Sequence, residues 1–215
     1  MKFLKRIDAG KKLAELLSKS VIDNPVIVGL PRGGVPVAYV VAKELRAPLE
    51  IIVVRKLGVP SQPELAFGAI GEGGEIWINQ EVIKGYGISN EVMKDVQGKE
   101  SDEIVRRCAY LRGKSVPLNF RDRDVVIVDD GIATGATIRV ACQVARSRGA
   151  SRVRIASPVA ASSVVTELMK IADEVIVVQV PEDFSAVGQW YEDFTPTTDE
   201  EVRELMEKSF AFNRH

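Results

Sequence analysis

Residues 125–137 read VVIVDDGIATGAT, an apolar run of strand length that ends in two carboxylates and enters a helix through a glycine-containing turn. A run so continuously apolar suits a strand buried on both faces, as in a parallel sheet covered by helices. The same signature recurs along the chain. The cores VIVGL, IIVV, VRIAS and VIVVQ predict further strands at 25–30, 49–54, 152–157 and 174–180, beside the one at 124–129. Between them, 9–19, 35–46, 135–148, 162–171 and 198–208 carry apolar residues at helical spacing, and Thr198 with Glu201 has capping-box spacing. Alternation of this kind predicts an α/β fold: a doubly wound parallel sheet with helices on both faces, in a single domain spanning residues 1–215.

Ligands of such sheets bind beyond the carboxyl ends of the strands, where the first turn of the next helix points unpaired amides. An anion fits there. Gly135 allows close approach, Thr134 and Thr137 add hydroxyls, and Ala133 to Thr137 supply backbone donors. Asp129 and Asp130 would repel a bare phosphate, so the ligand should carry hydroxyls or a metal beside its phosphate. A ribose 5-phosphate has that layout. A Walker loop would carry a lysine and lack the acids, and a dinucleotide fingerprint spaces its glycines differently. The plain alternative is an Asp-Asp turn that only caps a helix.

The stretch resembles the PRPP signature of type I phosphoribosyltransferases: apolar strand, two acids, small residues, then Thr-Gly-Xaa-Thr. GLPRGG at 29–34 again follows a buried strand and precedes a helix, and it resembles that family's pyrophosphate loop. The likeness extends to the branch of the family that shares PRGG. By position it implies Arg32 as the cation, Gly33 and Gly34 as sites of close approach, and Pro31 to Arg32 as the place for the family's cis peptide. Without the family, PRGG is an ordinary turn. Arg55 and Lys56 end the next strand, within reach of the same ligand or simply solvated.

Three further segments are read less directly. Residues 57–74 hold Gly58, Pro60, Pro63, Gly68, Gly71, Gly73 and Gly74, which predicts a long mobile loop where the family carries its lid. That loop has Glu64 and Glu72 but no basic residue. Residues 89–113 predict an inserted helix, or a pair broken near Gly98, on a stripe of Val92, Val96, Ile104, Cys108 and Leu111. Residues 180–194, VPEDFSAVGQWYEDF, open the candidate for a small hood over the base, spanning about 180–215, with Phe184 and Trp190 as candidate stackers; the favoured reading is that these aromatics anchor a tail.

The resemblance implies transfer of a 5-phosphoribosyl group from PRPP to a small nitrogenous base, with release of pyrophosphate. Asp129, Asp130 and Arg32 would be the catalytic residues. It implies Mg2+, held through PRPP with Asp129 and Asp130 as candidate protein ligands, and a homodimer. Alternatives are a PRPP-binding sensor without transfer, and a metal-dependent phosphohydrolase or signalling domain using the paired aspartates. On the leading reading Asp130→Asn lowers transfer far more than stability, and Gly135→Val abolishes binding by crowding the phosphate.

The bulk numbers agree. Lys and Arg number 29 against 30 Asp and Glu, a net charge of -1, which gives no basic excess for a nucleic-acid partner. Cys108 and Cys142 make neither a disulfide framework nor a metal cluster, and the N-terminal stretch has no apolar run of membrane or signal length, so a cytoplasmic protein is expected. The single histidine, His215, closes the chain, which removes histidine chemistry from the candidates.

Overall fold

The computed structural model describes residues 2–113 and 116–211; His215 lies outside them. Five parallel strands form the central sheet: β1 (Pro25–Gly29), β2 (Leu49–Ile51), β6 (Asp124–Val128), β7 (Arg152–Val159) and β8 (Glu174–Gln179). Their order is β2-β1-β6-β7-β8, so the chain reverses its winding direction between β1 and β6. Those two strands run in register from Pro25 against Asp124 to Gly29 against Val128.

Why the strands are apolar throughout is visible in their neighbours. Ile27, Val126 and Val128 face the cluster that contains Leu13, Leu17, Val37 and Val41 of helices α1 (Arg6–Leu17) and α2 (Gly34–Leu45). Val26, Val28, Val125 and Ile127 face the opposite cluster, with Ile138, Ala141 and Ala145 of α5 (Ala136–Ser147) and Val164 and Leu168 of α6 (Ser162–Leu168). Both faces are covered, so β6 is buried throughout and β1 from Val26 onward. The last helix, α7 (Asp199–Ser209), starts as its sequence predicts: the Thr198 hydroxyl accepts from the Glu201 amide at 3.0 Å.

Residues 57–74 are not a mobile loop. They belong to an antiparallel sheet of β3 (Val54–Val59), β4 (Gln62–Gly71) and β5 (Ile76–Ile78). Two of the glycines that suggested flexibility mark close approach instead. A Cβ on Gly58 would lie 2.8 Å from the Pro63 carbonyl, and one on Gly71 would lie 2.7 and 2.8 Å from Val140 and Val144 of α5. Glu72 is buried rather than poised over a ligand.

After α3 (Gln80–Tyr86), the inserted segment is one helix, α4 (Asn90–Arg112), unbroken at Gly98. Gly98 faces open space, and a lone exposed glycine costs a helix only about 1 kcal/mol. The end of α4 is riveted to the sheets. Arg112 donates to Glu50 at 3.0 Å, to both oxygens of Glu72 at 2.7 Å, and to the Ile51 carbonyl at 2.6 Å. Arg148 meets Glu72 from the other side at 3.1 Å. This anchorage holds α4 beside β3, above the carboxyl edge of the central sheet. Among the described residues, no helix is long and apolar enough to cross a membrane.

Candidate active site at the carboxyl edge of the sheet

The reversal between β1 and β6 sets their two following loops side by side. Leu30 N donates to the Val128 carbonyl at 3.0 Å, which ties the loops together at their roots. Beyond that bond the Pro31–Arg32 peptide is cis, Arg32 is exposed, and α2 begins at Gly34. A Cβ on Gly34 would sit 2.6 Å from the Val128 carbonyl and 3.0 Å from the Cα of Asp129. Glycine is required because the second loop passes directly underneath.

The acids on that second loop are half-buried. Asp129 Oδ1 accepts from the Asp130 amide at 2.9 Å. Burial, and then the charge of Asp130, push the Asp129 carboxyl well above the usual range. Asp130 is also raised by burial, opposed by Arg6, whose Nε donates to Asp130 Oδ2 at 2.8 Å. Only 13% of the Asp130 side chain is exposed. Asparagine there would therefore leave the Arg6 guanidinium without its charged partner, and stability falls together with any ligand contact. The expectation that transfer falls far more than stability thus becomes one in which both fall.

The turn continues through exposed Ala133 and Thr134 to Gly135, which caps α5 at φ 72°, in the left-handed region. No side chain caps α5, as none caps α1, α2 or α6, whereas Asn79, Ser89 and Thr198 cap α3, α4 and α7. The first amides of α5, at Ala136 and Thr137, thus have no partner within the helix or from a cap, and can serve an anion. The side-chain position of Gly135 points elsewhere. A Cβ would meet Val164 and Leu168 of α6 at 2.9 and 3.2 Å, so a larger residue strains the backbone and displaces α6 rather than filling the anion position.

From Thr137 and Pro31 a cleft of about 590 Å³ runs out between β3 and α4. Arg55, Lys56, Lys99 and Arg107 line it, against the single carboxylate of Glu100. Arg55 is engaged by Glu100 at 2.6 Å, and Arg107 holds Asp199 at 2.7 Å.

Residues 4–194 match the family model for the phosphoribosyl transferase domain. The chain belongs to that family. It is 48% identical, over 95% of its length, to proteins of two Mycobacterium tuberculosis strains provisionally described as phosphoribosyl transferases. The chain spans about half the length of those relatives, 46%. The crystal structure of TT1426 from Thermus thermophilus is 40% identical and superposes with a TM-score of 0.82, covering 97% of this chain and 99% of that one. A Neisseria gonorrhoeae protein solved with bound ppGpp is 13% identical with a TM-score of 0.50, covering 97% of this chain and 98% of that one, a likeness of fold alone.

Within this phosphoribosyl transferase domain the structure brings Asp129, Asp130, the 133–137 turn and the 31–34 loop to one edge, with Arg55 and Lys56 on the wall of the adjoining cleft. Phe184 and Trp190 lie apart from that cleft and stack on each other, ring centres 6.5 Å apart. Each packs against a different core cluster. Four site residues were not predicted: Arg6, Tyr191, Lys99 and Arg107. Arg6 reaches Asp130 across 124 positions of sequence, and nothing in its local pattern signals that contact. Lys99 and Arg107 carried a detectable signal, since both lie on the polar flank of the helical stripe at 89–113.

Proposed function

We propose that this domain transfers a 5-phosphoribosyl group from PRPP to a small nitrogenous base. The observation that carries the reading is the convergence, at the β1–β6 reversal, of an uncapped helix start, two carboxylates and a cation-lined cleft on one sheet edge. PRPP has those parts in that order: a 5-phosphate, ring hydroxyls and a diphosphate. The 5-phosphate takes the amides at 133–137, with the hydroxyls of Thr134 and Thr137. Asp129 and Asp130 accept the ribose hydroxyls. Arg32 and the loop 31–34 bind the diphosphate, whose charge extends into the cleft toward Arg55, Lys56, Lys99 and Arg107.

In the reaction the bond from the anomeric carbon to the diphosphate oxygen breaks, and pyrophosphate leaves with the electron pair. A ring nitrogen of the base forms the new bond to that carbon and gives up its proton. Positive charge builds on the sugar and negative charge on the leaving group, so fixed charges and alignment do the catalysis and no nucleophile on the protein is needed. The acids favour the sugar cation, and the cationic cleft favours the departing diphosphate.

Among the described residues there is no group of three or more His, Cys, Asp or Glu that could hold a metal. Two aspartates alone fit a magnesium that arrives with the diphosphate, since Mg2+ is held by one or two carboxylates together with phosphate oxygens. When bound, it would neutralise charge on the leaving group. Asp129 and Asp130 are the residues that would hold it.

The hood of this proposal is the segment around Phe184 and Trp190. Its support as a base site is the indole Nε1 of Trp190, buried without a hydrogen-bond acceptor. Assembly as a homodimer and a cytoplasmic location belong to the same reading. The test is pyrophosphate release from PRPP and Mg2+ across a panel of free purines and pyrimidines. Release with at least one base is expected. PRPP bound with no release across the panel would replace the enzyme with a sensor.

A further inference from the structure

Arg6 stands at the start of α1, outside both ligand loops, yet its side chain is only 11% exposed. Besides the bond to Asp130, its Nη1 donates to the Thr195 carbonyl at 2.8 Å, and its guanidinium carbon lies 4.1 Å from the centre of the Phe194 ring. Tyr191, whose ring centre is 6.0 Å from the same carbon, donates its hydroxyl to the Asp130 carbonyl at 2.6 Å. Across the site, Gly33 is pressed against Asp130 Oδ2, and a Cβ there would lie 3.2 Å from Arg6 Nε. Asp130 is therefore gripped from three sides: by α1, by the 31–34 loop and by the segment 191–195.

Two neighbouring carboxylates repel each other and lose hydration on burial, so without a counter-charge the second would rotate toward solvent or toward its own helix. Arg6 is the cation bonded to Asp130. Its stacking on Phe194 and its bond to Thr195 fix the guanidinium independently of Asp130, which makes it a support and not a floating ion.

We infer that Arg6 is a positioning residue for ribose recognition: it holds the Asp130 carboxylate beside Asp129, in the one orientation that lets the pair take the hydroxyls of a pentose phosphate. The inference rests on the proposed ribose phosphate reading of the site. Arg6 does not touch the ligand. It commits one oxygen of Asp130 to the protein so that the rest of the acidic pair keeps a fixed geometry.

The experiment is calorimetric titration of the full chain with ribose 5-phosphate and, separately, with inorganic phosphate. The wild-type protein should prefer ribose 5-phosphate. Arg6→Ala should weaken ribose 5-phosphate by about tenfold, the scale of a hydrogen bond to a charged group, while inorganic phosphate is unchanged. Arg6→Lys, which restores the charge with fewer bonds, should recover part of the loss. Should the alanine variant unfold, Arg6→Met fills part of the volume beside Phe194 without the charge and is expected to give the same selective loss. An unchanged preference in the variants would reduce Arg6 to an anchor, and tighter ribose 5-phosphate binding would make it a plug; either overturns the inference. A wild-type protein without preference for ribose 5-phosphate would instead remove the underlying reading of the site.

Discussion

Gly33 and Asp130 stand in direct contact across the two ligand loops: a Cβ on Gly33 would lie 2.7 Å from Asp130 Cγ and nearer still to its Oδ2. The glycine is in the ordinary right-handed region, φ -62° and ψ -29°, so its need for a bare Cα is steric and not conformational. Gly33→Ala should therefore push the Asp130 carboxylate off Arg6 without straining the loop. Calorimetry should show ribose 5-phosphate weakened by about tenfold or more, with inorganic phosphate unaffected. Equal affinity for ribose 5-phosphate before and after the change would show that Asp130 makes no ligand contact.

Gly135 behaves differently. At φ 72°, with Val164 and Leu168 beside its side-chain position, Gly135→Val combines backbone strain with overpacking against α6. The expected cost is about 3 kcal/mol of unfolding free energy. Urea denaturation reads it. Full stability with lost phosphate binding would instead mean that the substituent invades the anion position.

The cationic cleft separates the diphosphate from the rest of the ligand. Lys99→Ala, on an exposed residue, should weaken PRPP by about threefold to tenfold and leave ribose 5-phosphate alone, since only PRPP carries charge into the cleft. Glu100→Gln should do the reverse, releasing Arg55 and tightening PRPP by about threefold. Parallel titrations with both ligands decide it. A change that is the same for the two ligands would place the diphosphate elsewhere.

Much of this arrangement is legible in the order of residues alone. Positions 25–30, 124–129 and 152–157 read as strands because their cores are continuously apolar, a pattern that burial on both faces produces. The acids, the turn and PRGG are local signals, and their placement follows from strand-then-helix order. What escapes is nonlocal. The glycines at 58 and 71 look like hinges in one dimension and are packing contacts in three. Gly98 looks like a break, yet the helix runs through it because Arg112 anchors the far end to Glu50 and Glu72. Arg6 and Tyr191 join Asp130 from opposite ends of the chain, which no spacing rule can reach.

Arg112 also contributes to the acid response of the fold. Burial pushes the Glu72 carboxyl up, but its bonds to Arg112 and the nearby Arg148 outweigh this and hold it below the usual range. A depressed carboxyl stabilises the folded state above its ordinary titration range and loses that contribution as the pH falls through its folded value. The wild-type urea midpoint should thus decline on acidification below about pH 4.5. Arg112→Ala removes the guanidinium that joins buried Glu50 and Glu72, leaving Arg148 beside Glu72, with an expected loss of about 3–5 kcal/mol at neutral pH. In that variant acidification should restore part of the stability as the carboxylates take up protons. A variant as stable as the wild-type protein at neutral pH would show the network to be dispensable.

The central claim is a pentose phosphate held at both ends, and the most direct measurement of it is a crystal structure with ribose 5-phosphate bound. The phosphate should lie within hydrogen-bond distance of the backbone amides at 133–137, with the ring hydroxyls on Asp129 and Asp130. A phosphate seated away from the start of α5, or a sugar whose hydroxyls face neither aspartate, would contradict it.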